Sequence, residues 1–468
     1  MQEMQRIQEG ARHGYLERAD GTADVEQRSL FAASLLALLI ATICLSPRLR
    51  LAGVFPDLQT VDLRWQDLLL LPMALVLVVG LGRRRRGPLI SLFGYGLPVF
   101  VWGLLLIVAS HMLSNSDVSA LRRIAFGGRV IELFVLGAVV AQLYLRSGTL
   151  AAKTVIGSLQ FVIIANGLWV GYQFVTGYQG TLLGSAVGDR LTSYGPKLVG
   201  EGSAFAAGQF FTFSTAVGIA QFRSRIVPRR VAAVPVLIGI LGVILSESRV
   251  SIAGTAFVLL SFAGLSTRSY FGKIRLNAGG LVLASLALAT ILLIFLPAIQ
   301  ESRFNPERLY SGLQVRVDGV WLPFGEMVLE RPLGGLGPGG ITPEMSSPEA
   351  HNAFLRALVD FGLVFGPLFV YLFLRAMVTA LKLGLSSDSK AASMFGYLAF
   401  LYTGAVLISG TMQDSMTVVM STHLLMLALG LLAAEIARHA TSERAIIPHS
   451  SGLDEVRGHF EAATTTGA

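Results

Sequence analysis

The sequence predicts an all-α polytopic membrane protein: about twelve transmembrane helices, with a large loop between helices 9 and 10 on one side of the membrane. Three observations carry that prediction. Hydrophobic residues make up 53% of the 468 and charged residues 14%, against about 25% charged in ordinary soluble domains. Nearly uncharged runs of roughly 16–23 residues recur, close to the length that crosses a hydrocarbon core about 30 Å thick at about 1.5 Å per residue. Lysines and arginines also gather in alternate loops, the asymmetry that orients helical membrane proteins.

In chain order the spans are expected near 30–46, 67–82, 88–109, 124–145, 152–175, 203–221, 231–246, 250–266, 277–297, 353–376, 391–410 and 417–437. The first 28 residues are polar and lack an apolar stretch with a small-residue cleavage site, so they read as a retained tail ahead of an anchor starting at Leu30. The chain divides into that tail (1–28), a membrane domain (29–437) that includes the loop 298–352, and a second polar tail (438–468). Both tails have the composition of disordered segments. Cys44 is the only cysteine, which excludes an intrachain disulfide.

An even number of spans puts both tails on one side. That side collects Arg83–Arg86, Arg146, Lys153, Arg223, Arg225, Arg229, Arg230, Arg268, Lys273, Arg275, Arg375, Lys382 and Lys390. The positive-inside rule makes it cytoplasmic. The net charge of +8 is therefore read as topogenic; no aromatic-basic module accompanies it, and nucleic acid is not an expected partner.

The loop 298–352 then faces outside. Its segment RPLGGLGPGGITPEMSSPEAHN contains Gly335-Leu-Gly-Pro-Gly-Gly340, which spells G-x-G-x-x-G. A dinucleotide loop also needs a strand before it, a helix after it and an acidic partner roughly 20 residues on. Here Pro332, Pro338 and Pro343 crowd the site, no βαβ pattern surrounds it and no G-K-[ST] follows. The glycines read instead as a tight turn whose backbone N–H groups approach a ligand or the membrane face.

Four places carry candidate chemistry. Arg249, in LSESRVSIAG, lies between two apolar runs, where a mid-bilayer guanidinium costs about 2.5–3.5 kcal/mol. Either it snorkels and pairs with Glu247, or it binds a ligand. Arg190, in GDRLTSYGPK, sits on an outer loop with Lys197 nearby. His351 follows the Gly-Pro loop and opens a helix beside Asn352; imidazole ordinarily titrates near roughly 6.5, which suits it to accept a proton from a hydroxyl. The run VRVDGVWLPFGEMVLE places Val317, Trp321, Phe324 and Val328 at helical spacing, kinked at Pro323, and is read either as a helix on the outer leaflet or as a packing helix, with Arg316 at its start. His13, His111, His423, His439, His449 and His459 lack the setting of His351, and Asp57 and Asp62 are fallback bases. With no Asp-x-Asp, HExxH or Cys/His cluster, neither a metal nor another cofactor is expected.

These residues resemble the O-antigen ligase and O-antigen polymerase superfamily, bacterial inner-membrane glycosyltransferases. Four segments in order carry the resemblance: DRLTSYGPK, SESR, VRVDGVWLPFGEMVLERPLGGLGPGG and HNAFLRALVDFGL, within 189–363. Val250 departs from the small residue that often follows the arginine of SESR. The resemblance implies a catalytic group of His351, Arg190 and Arg249, with substrate contacts from Arg316, Lys197, Asn352 and Gly337. It implies an undecaprenyl-diphosphate-linked glycan as donor and lipid A-core or another lipid-linked glycan as acceptor. It also implies metal-independent, inverting transfer on the periplasmic side, with both termini cytoplasmic. A ligase and a polymerase share this donor chemistry and differ in acceptor. A twelve-span polysaccharide transporter or flippase is the alternative of a different class.

Overall fold

The computed structural model describes residues 26–47, 49–50, 62–81, 88–113, 118–178, 180–183, 197–200, 203–246, 248–270, 306–341, 350–413 and 419–446. The described chain is helical apart from one short antiparallel contact, Leu49–Arg50 against Asp62–Leu63. Its helices are α1 (Glu26–Leu45), α2 (Trp65–Leu81), α3 (Pro88–Phe93), α4 (Gly96–Leu113), α5 (Ala120–Arg146), α6 (Ala151–Thr176) and α7 (Ala204–Ser224). They continue with α8 (Arg229–Leu245), α9 (Arg249–Tyr270), α10 (Pro306–Arg316), α11 (Leu322–Glu330), α12 (Ala353–Ser386), α13 (Lys390–Gly410) and α14 (Val419–Ile446).

Among the described residues seven of these, α1, α4, α5, α6, α12, α13 and α14, are long and apolar enough to cross a bilayer. The chain is a multi-pass helical membrane protein. The apolar runs expected at 67–82, 203–221, 231–246 and 250–266 fall on α2, α7, α8 and α9, while 277–297 lies outside the described residues. The run 88–109 divides at Gly94, whose φ of +68° ends α3 before α4 begins. At the other terminus α14 continues to Ile446, past the boundary expected at 437.

Small residues let the helices approach. Gly239 and Gly242 of α8 lie so close to α7 that a Cβ on either would meet Thr215 or Phe211. Phe93, Phe100, Phe134, Phe361, Phe369 and Phe373 interlock edge to face and tilted, joining α3, α4, α5 and α12. Arginines clamp one end of the bundle: Arg438 Nη2 donates to Gly148 O (2.9 Å), Arg223 Nη2 to Leu265 O (3.0 Å) and Arg375 Nε to Leu92 O (3.3 Å). The opposite end carries the loop preceding α12.

Two features there depart from the sequence expectation. The helix over 317–328 bends through a π turn at Val317–Trp321, with Pro323 accommodated in the first turn of α11. Phe324, Val328 and Val320 are buried against Ile341, Ala350 and Val359 in a small separate core, so this face is a packing face. The second is a break in α12. Gly362 adopts φ 72° and ψ −177°, a conformation essentially restricted to glycine. Leu363 N donates to Pro332 O (2.7 Å) and Leu336 N to Val359 O (2.7 Å). The Gly-Pro loop thus takes up backbone groups that the break releases. His351 therefore precedes a short helical segment, Ala353–Phe361, and the long apolar part of α12 begins beyond the break.

Candidate functional site

The C-terminal end of α13 gathers most of the expected site. Just past its last residue, Gly410, the carbonyls of Thr411 and Met412 each accept a hydrogen bond from one of the predicted residues. Arg316 Nη1 donates to Met412 O (3.0 Å) and Asn352 Nδ2 to Thr411 O (3.2 Å). One turn earlier Ser409 Oγ donates to the carbonyl of Val250 (3.2 Å), which places the start of α9, and so Arg249, beside the same helix end. Three elements separated widely in sequence thereby meet: the end of α10, the start of α9 and the start of α12.

Asn352 caps α12. Its Oδ1 accepts hydrogen bonds from Phe354 N and Leu355 N, both at 3.0 Å, which satisfies two of the N–H groups a helix start leaves open. His351, immediately before the cap, has φ +46°. A left-handed conformation in a residue with a Cβ costs on the order of 1–3 kcal/mol and persists where the surroundings over-determine it. The chain on either side does so: Asn352 is fixed by its cap, and Trp321 Nε1 donates to Ala350 O (3.0 Å). The imidazole is half-buried. Arg316 is half-buried too, and burial pulls its guanidinium below the ordinary value.

Under Arg249 lies a polar layer that sequence reasoning did not find. Gln209 Nε2 donates to Ser251 Oγ (3.3 Å) and Ser409 Oγ (3.1 Å). Thr212 Oγ1 lies 2.9 Å from Thr255 Oγ1, and Ser248 Oγ lies 2.9 Å from Ser251 Oγ. These groups, nearly all buried, tie α7, α9 and α13 together and give the start of α9 a polar floor. Arg356, one turn below Asn352, was also missed; its Nε donates to the buried Asp360 Oδ2 at 2.7 Å.

The remaining expected residues lie elsewhere or outside the described residues. Gly337 packs against α4 and α5: a Cβ there would stand 2.7 Å from His111 Cδ2 and 3.0 Å from Arg123 Nη1, and φ is +75°. The loop around it is held by Arg122, which donates to Gly339 O (3.0 Å) and Ile341 O (2.7 Å), and by Arg123, which donates to Leu336 O (2.8 Å). Its glycines serve close packing and its carbonyls receive arginines. Lys197 is buried against α6, with its N–H donating to Gln173 Oε1 (2.9 Å) and its carbonyl accepting from Gln173 Nε2 (3.1 Å). Arg190, Asp57 and the expected Glu247 partner of Arg249 lie outside the described residues.

No family model and no curated protein matches the chain.

Proposed function

We propose that the chain is a glycosyltransferase of the O-antigen ligase type, moving a glycan from undecaprenyl diphosphate to a sugar hydroxyl of lipid A-core. In this reading twelve spans cross the bacterial inner membrane, both termini are cytoplasmic, and the end of the bundle that carries His351 faces the periplasm. The observation that carries the reading is the meeting of Arg249, Arg316 and the strained His351 at the end of α13.

His351 takes the proton of the acceptor hydroxyl as its oxygen attacks the anomeric carbon. The bond from that carbon to the diphosphate oxygen breaks, and polyprenyl diphosphate leaves with the bonding electrons. A positioned base is worth about 10²–10⁴ in rate. Guanidinium groups suit the leaving diphosphate because their forked donors meet two phosphate oxygens at once. Arg249 and Arg190 fill that role, with Arg316 and Lys197 at the edges of the substrate path. Asn352 and Gly337 shape the site rather than react.

The test uses purified protein with a lipid-linked donor and a core acceptor. Wild type is expected to transfer the glycan and His351→Ala to lose at least about 100-fold, the lower bound for a general base. Turnover retained by His351→Ala would remove the base, and no transfer by wild type with either a core or a lipid-linked acceptor would favour transport over transfer.

A further inference from the structure

At the same end of the bundle, away from His351, three helices bring metal-binding donor types together. Donor atoms of Asp67 (α2), Glu132 (α5) and His423 (α14) lie within 4.8 Å of one another. Their side chains are 6%, 19% and 2% exposed. Arg129 Nη1 donates to Asp67 Oδ2 (2.8 Å) and Glu132 Oε2 (2.7 Å), and the backbone N–H of Arg64 also donates to Asp67 Oδ2 (2.8 Å). The other two oxygens, Asp67 Oδ1 and Glu132 Oε1, are buried and accept no hydrogen bond from an N–H or a hydroxyl, and the two carboxyl groups are within hydrogen-bonding reach of each other. His423 Nε2 stands 3.8 Å from Glu132 Oε1. Two buried carboxyl groups and one imidazole edge thus lie together.

We propose that Asp67, Glu132 and His423 form a binding site for a transition-metal dication of the zinc class. Calcium and magnesium take oxygen ligands, whereas imidazole beside carboxylate suits zinc and its neighbours. Arg64 and Arg129 already bring positive charge to the neighbourhood, so binding rests on coordination by one oxygen of each carboxyl group and the ring nitrogen more than on net charge. That again selects a transition metal. Bonds of about 2.0–2.2 Å put two ligands at most about 4.4 Å apart, so side-chain rotation closes the remaining gap.

The surroundings match those of a metal site, in which outer partners hold the ligands in place. Gln66 Nε2 lies 2.9 Å from His423 Nδ1, and Gln66 Oε1 accepts from Ser46 Oγ (2.7 Å). Turning the Gln66 amide by 180° makes its oxygen the acceptor for a proton on Nδ1, which leaves Nε2 its lone pair for the metal. The site joins α1, α2, α5 and α14 and is independent of the transfer chemistry proposed above.

The experiment uses full-length protein purified in detergent without chelator, its metal content measured by elemental analysis. After stripping it is titrated with Co²⁺ and followed by visible absorption. Wild type is expected to carry one dication per chain and to develop a Co²⁺ band, and His351→Ala to behave alike. Outer partners of metal ligands are worth about 10–100-fold in affinity; Gln66→Ala is expected to fall in that range, and Asp67→Asn and His423→Gln at least about 100-fold below wild type. Should the ligand variants fail to fold, Gln66→Ala decides. Wild type free of metal and without a Co²⁺ band, or Gln66→Ala binding like wild type, overturns the site. Failure of glycan transfer by a metal-loaded wild type would leave it standing.

Discussion

Asn352 offers the sharpest test of how the candidate site is built, because its two ends do different things. Oδ1 caps α12 through Phe354 N and Leu355 N, while Nδ2 ties that helix to Thr411 O at the end of α13. Asn352→Ala removes both. Loss of a cap costs about 1 kcal/mol and loss of a partly exposed hydrogen bond about 0.5 kcal/mol net, together about 1.5 kcal/mol. Asn352→Asp keeps the cap acceptor and gains about 0.3–1 kcal/mol from a negative charge at a helix start, which offsets the lost tether. The two variants should therefore differ by about 1.5 kcal/mol, roughly tenfold in the unfolding equilibrium constant. Reversible unfolding by sodium dodecyl sulfate in mixed micelles reads that difference. Transfer should fall in both variants, since an aspartate beside a diphosphate repels it and an alanine frees His351. An aspartate variant as unstable as the alanine one would show that capping is not what Asn352 contributes.

His351→Gly should match or exceed wild-type stability, by up to about 1–2 kcal/mol from relief of the left-handed backbone, while losing transfer; destabilisation in the same unfolding assay would mean that the imidazole is there for packing. Gly337→Ala should cost about 1–3 kcal/mol, because φ is +75° and the new methyl meets His111 and Arg123, and limited proteolysis within 331–341 should accelerate; an unchanged digestion pattern would refute the clamped loop. Arg316→Lys keeps the charge but not the forked donors, so a charged hydrogen bond of about 1.5–3 kcal/mol is put at risk. Transfer should drop about tenfold or more, with the loss appearing in KM.

The sequence made the apolar helices legible because burial in lipid needs only length and composition, and α1, α5, α12 and α13 lie close to where their apolar runs put them. What it hid were contacts whose partners are far apart in the chain. Gln209, Thr212, Ser251 and Thr255 read as scattered polar residues in apolar runs, and only their pairing across α7, α9 and α13 explains them. VDFGLVFG reads as continuous helix, yet Gly362 breaks it because Leu363 N is taken by Pro332 O, thirty-one residues earlier. Asp67 drew no reading from the sequence and His423 was one of the histidines without a setting; the two converge only in the folded bundle. The sequence singles out His351 by its neighbours, but its positive φ was not legible, since nothing in AHNAF announces a left-handed residue.

Polar groups gather beside the site proposed for transfer. Gly239 and Gly242 let α8 approach α7 closely, and Ser214 Oγ donates to Pro235 O (2.7 Å) across the same contact, yet hydrogen bonds between helices in lipid add little, about 0.6 kcal/mol on average. Stability therefore draws little on the layer of Gln209, Thr212, Ser251 and Thr255. At the other end arginines meet backbone carbonyls through Arg438, Arg223 and Arg375, an arrangement that closes helix termini. At the His351 end arginines meet carbonyls as well, through Arg316, Arg122 and Arg123, and the Gln209 layer and the strained backbone at His351 are added to them. In the proposed reading the Gln209 layer holds the start of α9, and with it Arg249, in place for transfer. Substitution of the Gln209 layer should accordingly lower transfer more than stability, and an equal loss in both would place that layer with the packing.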